Sequence, residues 1–353
     1  MRNYKYSLCD VKWCDFFLKD YFDFYLSKGD NQANLLNEGN VPLVSSGSSD
    51  NGISKFIAKG DGISEKYESG LLTIDMFGKP FFHNYEFYAV SHGRINILRA
   101  KLEMSRYIKQ FIIKSIEAST KGVFSYNRMC SQKRLNTIRI MLPIDKNSKP
   151  NWFFMDAYMK ERESVQKYNL LAYYKKRLHE LSFRTKLVKC TQWGEFFFSD
   201  IFDRIQRGKR LTKANQLEGA IPYISSTSLN NGVDSFIGNT ERVRRFSKNL
   251  TLANSGSVGA CFYQDYEYIA SDHVTSLSLS SGNKYIYIFL ASIIQRLEEK
   301  YSFNREINDS RIKREKLILP IDEEGKPNWE YMESYIKNIE KEKIRQILNH
   351  LEK

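Results

Sequence analysis

The feature that most constrains this chain is that it is written twice. A block reading Leu142-Pro143-Ile144-Asp145, Lys149-Pro150-Asn151-Trp152, Met155 and Tyr158 returns without a gap as Leu319-Pro320-Ile321-Asp322, Lys326-Pro327-Asn328-Trp329, Met332 and Tyr335. The register extends upstream, carrying Ser125, Asn127, Arg128 and Arg134 onto Ser302, Asn304, Arg305 and Arg311. Near the start of each copy Trp13, Phe16, Phe17, Asp20 and Phe22 match Trp193, Phe196, Phe197, Asp200 and Phe202. Between these anchors Glu38-Gly39, Pro42, Ser45-Ser46, Asn51-Gly52 and Phe56-Ile57 match Glu218-Gly219, Pro222, Ser225-Ser226, Asn231-Gly232 and Phe236-Ile237. All four tryptophans and six of the seven prolines pair in this way, and chance similarity does not pair the rarest residues so completely.

A repeat of this length makes each copy a structural unit, so function belongs to the pair. Two domains of about 100 to 200 residues suit a 353-residue chain. The repeat places a first domain at 1–151, a helix at 152–183, a second domain at 184–328 and a closing helix at 329–353. Hydrophobic residues make up 42% and aromatics 14%, enough for a core in each copy, and no run approaches the roughly 18 to 20 apolar residues of a membrane span. The opening Met1-Arg2-Asn3-Tyr4-Lys5 runs into Cys9-Asp10 without an apolar export segment, which predicts a cytoplasmic protein with no membrane partner. Five cysteines (Cys9, Cys14, Cys130, Cys190, Cys261) are an odd number with no C-x-x-C spacing, and none aligns with a cysteine of the other copy. That argues against both a disulfide framework and a zinc site. The net charge of +13 calls for an anionic partner, nucleic acid first among them.

Taken in order, residues 1 to about 26 are aromatic-rich and read as core, with a short helix or strand leading to Asp20-Tyr21-Phe22. The Gly, Asn and Ser-rich section that follows holds a brief strand at Pro42-Leu43-Val44 and a two-residue hairpin signal at Asn51-Gly52, where both positions tolerate positive φ. Its counterpart is more basic, with Arg204, Arg207, Lys209, Arg210 and Lys213 before Ile221-Pro222-Tyr223-Ile224, and Arg242, Arg244 and Arg245 after the hairpin. The first copy carries Lys55, Lys59 and Lys66 there instead. Strands are expected at Leu71–Ile74, Phe87–Val90, Leu250–Ala253 and Val274–Leu279, and helices at Lys101–Ala118 and Tyr285–Lys300. Past each Pro-Asn-Trp the spacing turns helical and loses Gly and Pro. Val165, Tyr168, Leu171, Tyr174, Leu178 and Leu181 form one apolar seam, and Met332, Ile336, Ile339, Ile344, Ile347 and Leu351 another, as a coiled-coil surface requires. The alternative is two amphipathic helices, each lying on its own domain.

The chemistry-bearing patterns are mostly missing. There is no AdoMet-binding glycine loop, no Asn/Asp-Pro-Pro-aromatic motif and no G-x-x-x-x-G-K-[ST] phosphate loop. The five histidines (His83, His92, His179, His273, His350) show no metal spacing, and Asp272-His273 reads as a hydrogen-bonded surface pair. Asp309 followed by Glu324-Gly325-Lys326 fits a Mg²⁺ nuclease pattern formally. Its Glu and Lys lie in a turn, however, and Glu324 aligns with Asn147 in the first copy.

What remains is a binding surface. Arg and Lys serve phosphates and guanine, Asn reads adenine, and Ser or Thr can contact either. In the first copy the candidates are Ser45, Ser46, Asn51, Lys55, Asn127, Arg128, Lys133 and Arg134. In the second they are Arg207, Lys209, Arg210, Ser225, Ser226, Thr227, Asn231, Arg242, Arg244, Arg245, Asn304, Arg305, Arg311 and Lys313. The recurring Asn-Arg pairs are either phosphate clamps or caps within the fold.

These repeated blocks resemble the specificity subunits of restriction-modification systems. The Leu-Pro-Ile-Asp…Lys-Pro-Asn-Trp…Met…Tyr element most resembles the recognition subunits associated with Type IIB and related Type IIG enzymes rather than the Type I form. The resemblance implies an α+β chain of two tandem target recognition domains, each followed by a long helix, with the helices pairing as an antiparallel coiled coil. It implies that each domain reads half of a split double-stranded DNA site. A separate methyltransferase or methyltransferase-nuclease subunit would bind AdoMet and, for cleavage, Mg²⁺, leaving this chain without cofactor, metal or catalytic residue. Pairing would use Val165, Leu171, Tyr174, Leu178 and Leu181 against Ile336, Ile344, Ile347 and Leu351. A helix from Trp152 to Leu181 would span about 40 Å, comparable to the roughly 34 to 36 Å between half-sites one turn apart. Because the loops of the two copies differ, the expected site is asymmetric. The rival readings are a Mg²⁺-dependent nuclease centred on Asp309 and Glu324, and a basic scaffold joining other proteins.

Overall fold

A computed structural model describes residues 4–47, 49–90, 95–184, 192–302 and 304–353; His92 and Cys190 lie outside them. In the first copy the order is β1 (Trp13–Phe17), β2 (Phe22–Leu26), β3 (Glu38–Val44), β4 (Ile53–Ile57), β5 (Leu71–Asp75), β6 (Pro80–His83), β7 (Tyr88–Ala89), β8 (Ile95–Ala100), α1 (Arg106–Thr120), α2 (Gln132–Leu135), β9 (Arg139–Pro143) and α3 (Trp152–Arg184). The second copy runs β10 (Trp193–Phe197), α4 (Phe198–Ile201), β11 (Arg204–Arg207), β12 (Glu218–Ile224), β13 (Val233–Ile237), β14 (Arg245–Phe246), β15 (Asn249–Ala253), β16 (Cys261–Gln264), β17 (Tyr268–Ala270), β18 (Val274–Ser278), α5 (Lys284–Ile294), α6 (Asp309–Ile312), β19 (Lys316–Pro320) and α7 (Trp329–Leu351). The fold is mixed α+β. Two compact units divide between Leu170 and Leu171, inside α3.

Each unit holds the same three sheets. In the first, β1 pairs antiparallel with β9, a four-stranded antiparallel sheet runs β2-β8-β5-β6, and β3 joins β4 antiparallel and β7 parallel. The second repeats this as β10-β19, β11-β18-β15-β16 and β13-β12-β17, with β14 added at the edge of the last. Strand β5 reads Leu-Leu-Thr-Ile-Asp and is buried throughout, because it is covered on both faces. Leu72 and Ile74 pack with Ile108, Phe111, Ile112 and Ile116 of α1, whereas Leu71 packs toward Leu43, Val44 and Ile57. An apolar run without alternation is what two-sided burial requires. Helix α1 begins later than its apolar spacing suggests, since Ser105 Oγ accepts the Ile108 N–H at 3.2 Å and residues 95–100 are already strand. Such an N-cap fixes the first turn.

The duplicated signature is the joint between last strand and long helix. Leu142 and Met155, with Leu319 and Met332, are fully buried. Asp145 Oδ1 accepts the N–H groups of Asn147 and Lys149 at 2.8 and 3.0 Å, and Asp322 Oδ1 those of Glu324 and Lys326 at 3.0 and 2.9 Å. Asn151 then caps α3 through the Phe154 N–H, and Asn328 caps α7 through the Tyr331 N–H, at 3.0 and 2.9 Å. The indole of Trp152 meets the Tyr21 ring edge-on at 5.3 Å. Leu-Pro-Ile-Asp…Pro-Asn-Trp therefore makes a strand end, an Asx turn and a capped helix in succession.

Three expectations need adjusting. Residues 4–10 are not core: Tyr4 and Leu8 are exposed, and the Lys5 N–H donates to Glu161 of α3 at 2.6 Å. Buried packing starts at Leu18 and Phe22. Asn51-Gly52 is not a two-residue hairpin either. It closes a longer connection, residues 45–52, with Asn51 and Gly52 at φ 56° and 74° and the Ser45 N–H donating to the Gly52 carbonyl at 2.7 Å. The helix seam is shorter than its spacing suggests. Within the second unit Leu171, Tyr174, Leu178 and Leu181 of α3 pack with Ile344 and Leu348 of α7. Arg177 reaches Glu340 at 2.8 Å and Lys175 reaches Glu352 at 2.8 Å. Leu348 takes the buried place, while Ile347 and Leu351 are half-buried. Ile336 belongs to the core of the second unit, and Val165 is buried within the first.

Candidate nucleic-acid interface

In each unit the fold gathers loops that lie far apart in sequence. In the first, the 45–52 connection, the β5–β6 turn and the turn preceding α2 adjoin one another. Gly52 lies against the Phe81 ring, Gly47 and Asp75 share a cleft with Phe77, Lys79 and Lys121, and the Cys130 N–H donates to the Met76 carbonyl at 2.8 Å. In the second, the Ser257 N–H donates to the Ser226 carbonyl at 3.0 Å, and the Ile307 N–H to the Asn254 carbonyl at 3.0 Å. Equivalent loops thus meet on equivalent strands.

Their chemistry differs. Between β5 and β6 the chain makes a four-residue turn, 76–79, whereas between β15 and β16 it makes a seven-residue loop, 254–260, reading Asn-Ser-Gly-Ser-Val-Gly-Ala. Gly256, at φ 60°, approaches Ser226 so closely that a Cβ there would lie 2.6 Å from its carbonyl oxygen. Ser255 Oγ and His273 Nδ1 are 2.7 Å apart, which ties the long loop to the residue that precedes β18. Among the described residues no carboxylate bonds His273, so the pair lacks the third member that would orient a catalytic base.

Beneath the loops lie two versions of one polar network. The buried His83 ring has Nε2 2.8 Å from Thr73 Oγ1 and Nδ1 3.1 Å from the Tyr85 hydroxyl, which in turn bonds the Asn51 side chain. Burial pushes the His83 pKa down to about 4, so the ring is neutral at pH 7. In the second unit Gln264 takes its place, donating to Thr251 Oγ1 at 3.1 Å and to the Asn231 carbonyl at 2.9 Å. Asn231 Nδ2 returns a bond to Gln264 Oε1 at 3.3 Å. Asn51 and Asn231, both exposed and both in the left-handed region, are therefore pinned from below.

The expected basic residues fall into two groups. Several are used inside the domain. Lys55 Nζ donates to the Ala33 and Leu36 carbonyls at 3.1 and 2.7 Å. Arg134 bonds the Met129 carbonyl, and Arg311 the Glu306 carbonyl at 2.5 Å. Arg207 lies 3.5 Å from Asp309, and its Nε is 2.9 Å from the amide oxygen of buried Asn254, with that oxygen turned toward it. Arg244 donates to the Arg207 carbonyl at 2.7 Å and Arg245 pairs with Glu267 at 2.7 Å. The others are outward: among the described residues Arg128, Lys133, Lys209, Arg210, Arg242, Arg305 and Lys313 make no ion pair, although the Arg305 guanidinium lies 5.4 Å from the Tyr301 ring centre. Asn127 and Asn304 are exposed in matching turns, bridged Ser125 to Arg128 and Ser302 to Arg305. Ser45, Ser46, Ser225, Ser226 and Thr227 are half-buried at the loop bases, and Thr227 Oγ1 accepts the Leu229 N–H at 3.1 Å.

Phe77, Tyr126, Ser255, Ser257 and His273 also lie in or against these loops and were not singled out as interface residues by the sequence. Only the length difference between the copies' glycine turns could have pointed to the first and third. The surface offers hydroxyls, amides and cations. Among the described residues no cluster of His, Cys, Asp and Glu could hold a metal, and no helix is long and apolar enough to cross a membrane. Asp309 pairs with Arg207, while Glu324 pairs with Lys326 at 2.7 Å in the turn before α7.

Comparison with known proteins agrees with the duplication. The Type I restriction modification DNA specificity domain matches twice, at residues 10–173 and 191–352. The specificity subunit S.BcgI of a Type II restriction enzyme from Heyndrickxia coagulans is 31% identical over 338 residues, covering 94% of this chain and 95% of that protein. The crystal structure of a Type I restriction-modification S subunit from M. genitalium has a similar fold, with TM-score 0.52 at 14% identity over 97% of this chain and 93% of that one. With two matches that account for nearly all of its length, the chain belongs to the restriction-modification DNA specificity family, the non-catalytic subunits that carry sequence recognition.

Proposed function

We propose that this chain reads a bipartite, asymmetric site on duplex DNA, one half with each domain, and directs a methyltransferase or methyltransferase-nuclease partner to it. The observation that carries this reading is the loop surface built twice on one scaffold with different side chains. Residues 1–151 and 184–328 would be the recognition domains, with the helices at 152–183 and 329–353 holding the half-sites at one separation. AdoMet and, for cleavage, Mg²⁺ would be held by the partner. Arg128, Lys133, Lys209, Arg210, Arg242, Arg305 and Lys313 are assigned to phosphates, since their charges face water unpaired. Asn51, Asn127, Ser226, Asn231 and Asn304 are assigned to base edges or to positioning. Arg134, Arg207, Arg244 and Arg311 act on the loops from within.

Selection from random duplexes by the purified chain should return two unlike half-sites at a fixed spacing, without cleavage in Mg²⁺. Arg128→Glu or Arg305→Glu should weaken binding to all sequences and make the plot of log affinity against log salt shallower by about one unit or more. Binding indifferent to both salt and sequence would favour a protein scaffold instead.

A further inference from the structure

Phe77 of the first domain belongs to an exposed aromatic pair and has no aromatic counterpart in the second, although its neighbour Tyr126 aligns with Phe303, which lies outside the described residues. Phe77, at the tip of the β5–β6 turn, is 41% exposed, and Tyr126, in the 125–128 turn, is 75% exposed. Their ring centres are 6.3 Å apart with planes inclined at 47°. The loop 254–260 that replaces the first turn contains no aromatic residue.

Both turns are held rigidly. The buried Asp75 carboxylate accepts the N–H groups of Phe77 and Lys79 at 2.9 and 2.8 Å, and burial keeps its pKa above the usual carboxylate value. Gly78, at φ 84°, packs so tightly that a Cβ would lie 2.5 Å from the Phe124 ring. The Cys130 N–H to Met76 bond, at 2.8 Å, ties one turn to the other. A cleft of about 720 Å³ opens beside Phe77, lined in part by Lys79, Lys114 and Lys121. Lys79 and Lys114 share Glu117, whereas Lys121 and Arg128 make no ion pair among the described residues. Two apolar faces are thus fixed in water with cations on their flanks.

We propose that Phe77 and Tyr126 form an apolar wedge that parts one base step within the half-site read by the first domain. This rests on the reading of the chain as a duplex-binding subunit. An aromatic face can stack on any base, but a closed duplex offers no free face until a step is opened. Apolar side chains inserted between base pairs open such steps, and lysine and arginine beside them hold the displaced phosphates. A partner that modifies a base must draw it out of the stack, and a step already parted lowers that cost. Loop 254–260 offers no aromatic that could partner Phe303 as Phe77 partners Tyr126, so the distortion is confined to one side of the site.

The test uses the full chain and duplexes of its selected sequence carrying 2-aminopurine at successive positions. Binding should raise the fluorescence several-fold at one step of one half-site. Phe77→Ala with Tyr126→Ala should abolish the rise and weaken binding to the intact duplex by about tenfold. A mismatch at that step should restore the double variant's affinity to within about twofold of the unsubstituted chain's. Both side chains are exposed, so the thermal midpoint should be unchanged, and Phe77→Leu with Tyr126→Phe should retain part of the rise. Sequence-selective binding without any fluorescence rise, or a rise that survives the alanine pair, overturns the wedge and leaves the DNA reading intact. Loss of salt-sensitive, sequence-selective binding in the unsubstituted chain overturns both.

Discussion

His83 and Gln264 occupy the same place in their respective domains, one titratable and one not. The His83 pKa of about 4 lies below the ordinary value of 6.5, so its burial favours the folded state only while the ring is neutral. That stability is complete above pH 6.5 and is lost as pH falls toward 4, to a limit of about 3 kcal/mol. His83→Gln copies the solution used by the second domain. It should flatten the stability of the first domain between pH 6.5 and 4. Chemical denaturation followed at several pH values checks this, and an unchanged slope in His83→Gln would place the acid sensitivity elsewhere. The equivalence of His83 with Gln264 above Thr73 and Thr251 was not legible in the sequence, because the three extra residues between β15 and β16 change the offset between the copies from 178 to 181. Asn51 and Asn231 were legible, since a residue that tolerates positive φ before a glycine announces its backbone. What could not be read was their anchoring, which comes from strands later in the chain.

The joint between α5 and β19 shows a comparable substitution among whole elements. In the second unit Lys300 Nζ lies 2.8 and 2.9 Å from the carboxylate of buried Glu315, which also takes the Tyr301 hydroxyl. Burial and that carboxylate push the Tyr301 pKa up to about 12. The aligned residues of the first unit are Val123, Phe124 and Ile138, all packed in its apolar core. A partly buried ionic group and an apolar cluster therefore fill one site in one fold. Glu315→Ala leaves Lys300 and Tyr301 without their partner and should cost the second domain about 3 kcal/mol, somewhat less if Lys300 turns into water. Lys300→Val, Tyr301→Phe and Glu315→Ile together should be neutral or stabilising, because the volume is kept and no charge remains to desolvate. Equilibrium unfolding of the single and triple variants separates these outcomes, and a triple variant as unstable as the single would mean that the surrounding strands require the charge. At this scale the strands at Leu71–Asp75 and Asn249–Ala253 and the long helices were visible in the sequence, because apolar period acts locally, whereas β1, β8, β9 and the Asn151 and Asn328 caps of the joint were not read from it. Tyr4 to Leu8 misled because aromatic content signals burial without saying against which surface.

For the molecule as a whole, the informative comparison is between what the copies share and what they do not. Shared residues such as Leu142, Asp145, Asn151 and Met155 build strand ends, caps and core, and their partners in the second copy do the same. Divergent residues collect at the loops and at the strand ends beneath them: Phe77 against Ser255 and, by strand register, His83 against Gln264 and Leu26 against Arg207. If recognition lies in those loops, specificity should move with the domain and folding should not depend on which domain is present. A chain in which residues 184–328 are replaced by a second copy of 1–151 should fold, since Trp152 and Trp329 begin their helices behind identical Lys-Pro-Asn joints. Selection from random duplexes should then return two like half-sites in place of two unlike ones, with affinity weakening as salt rises, as for the parent. Recovery of the parental asymmetric sequence by that chimera would mean that the half-sites are not read separately by the two domains, and assignment of recognition to the divergent loops would fall with it.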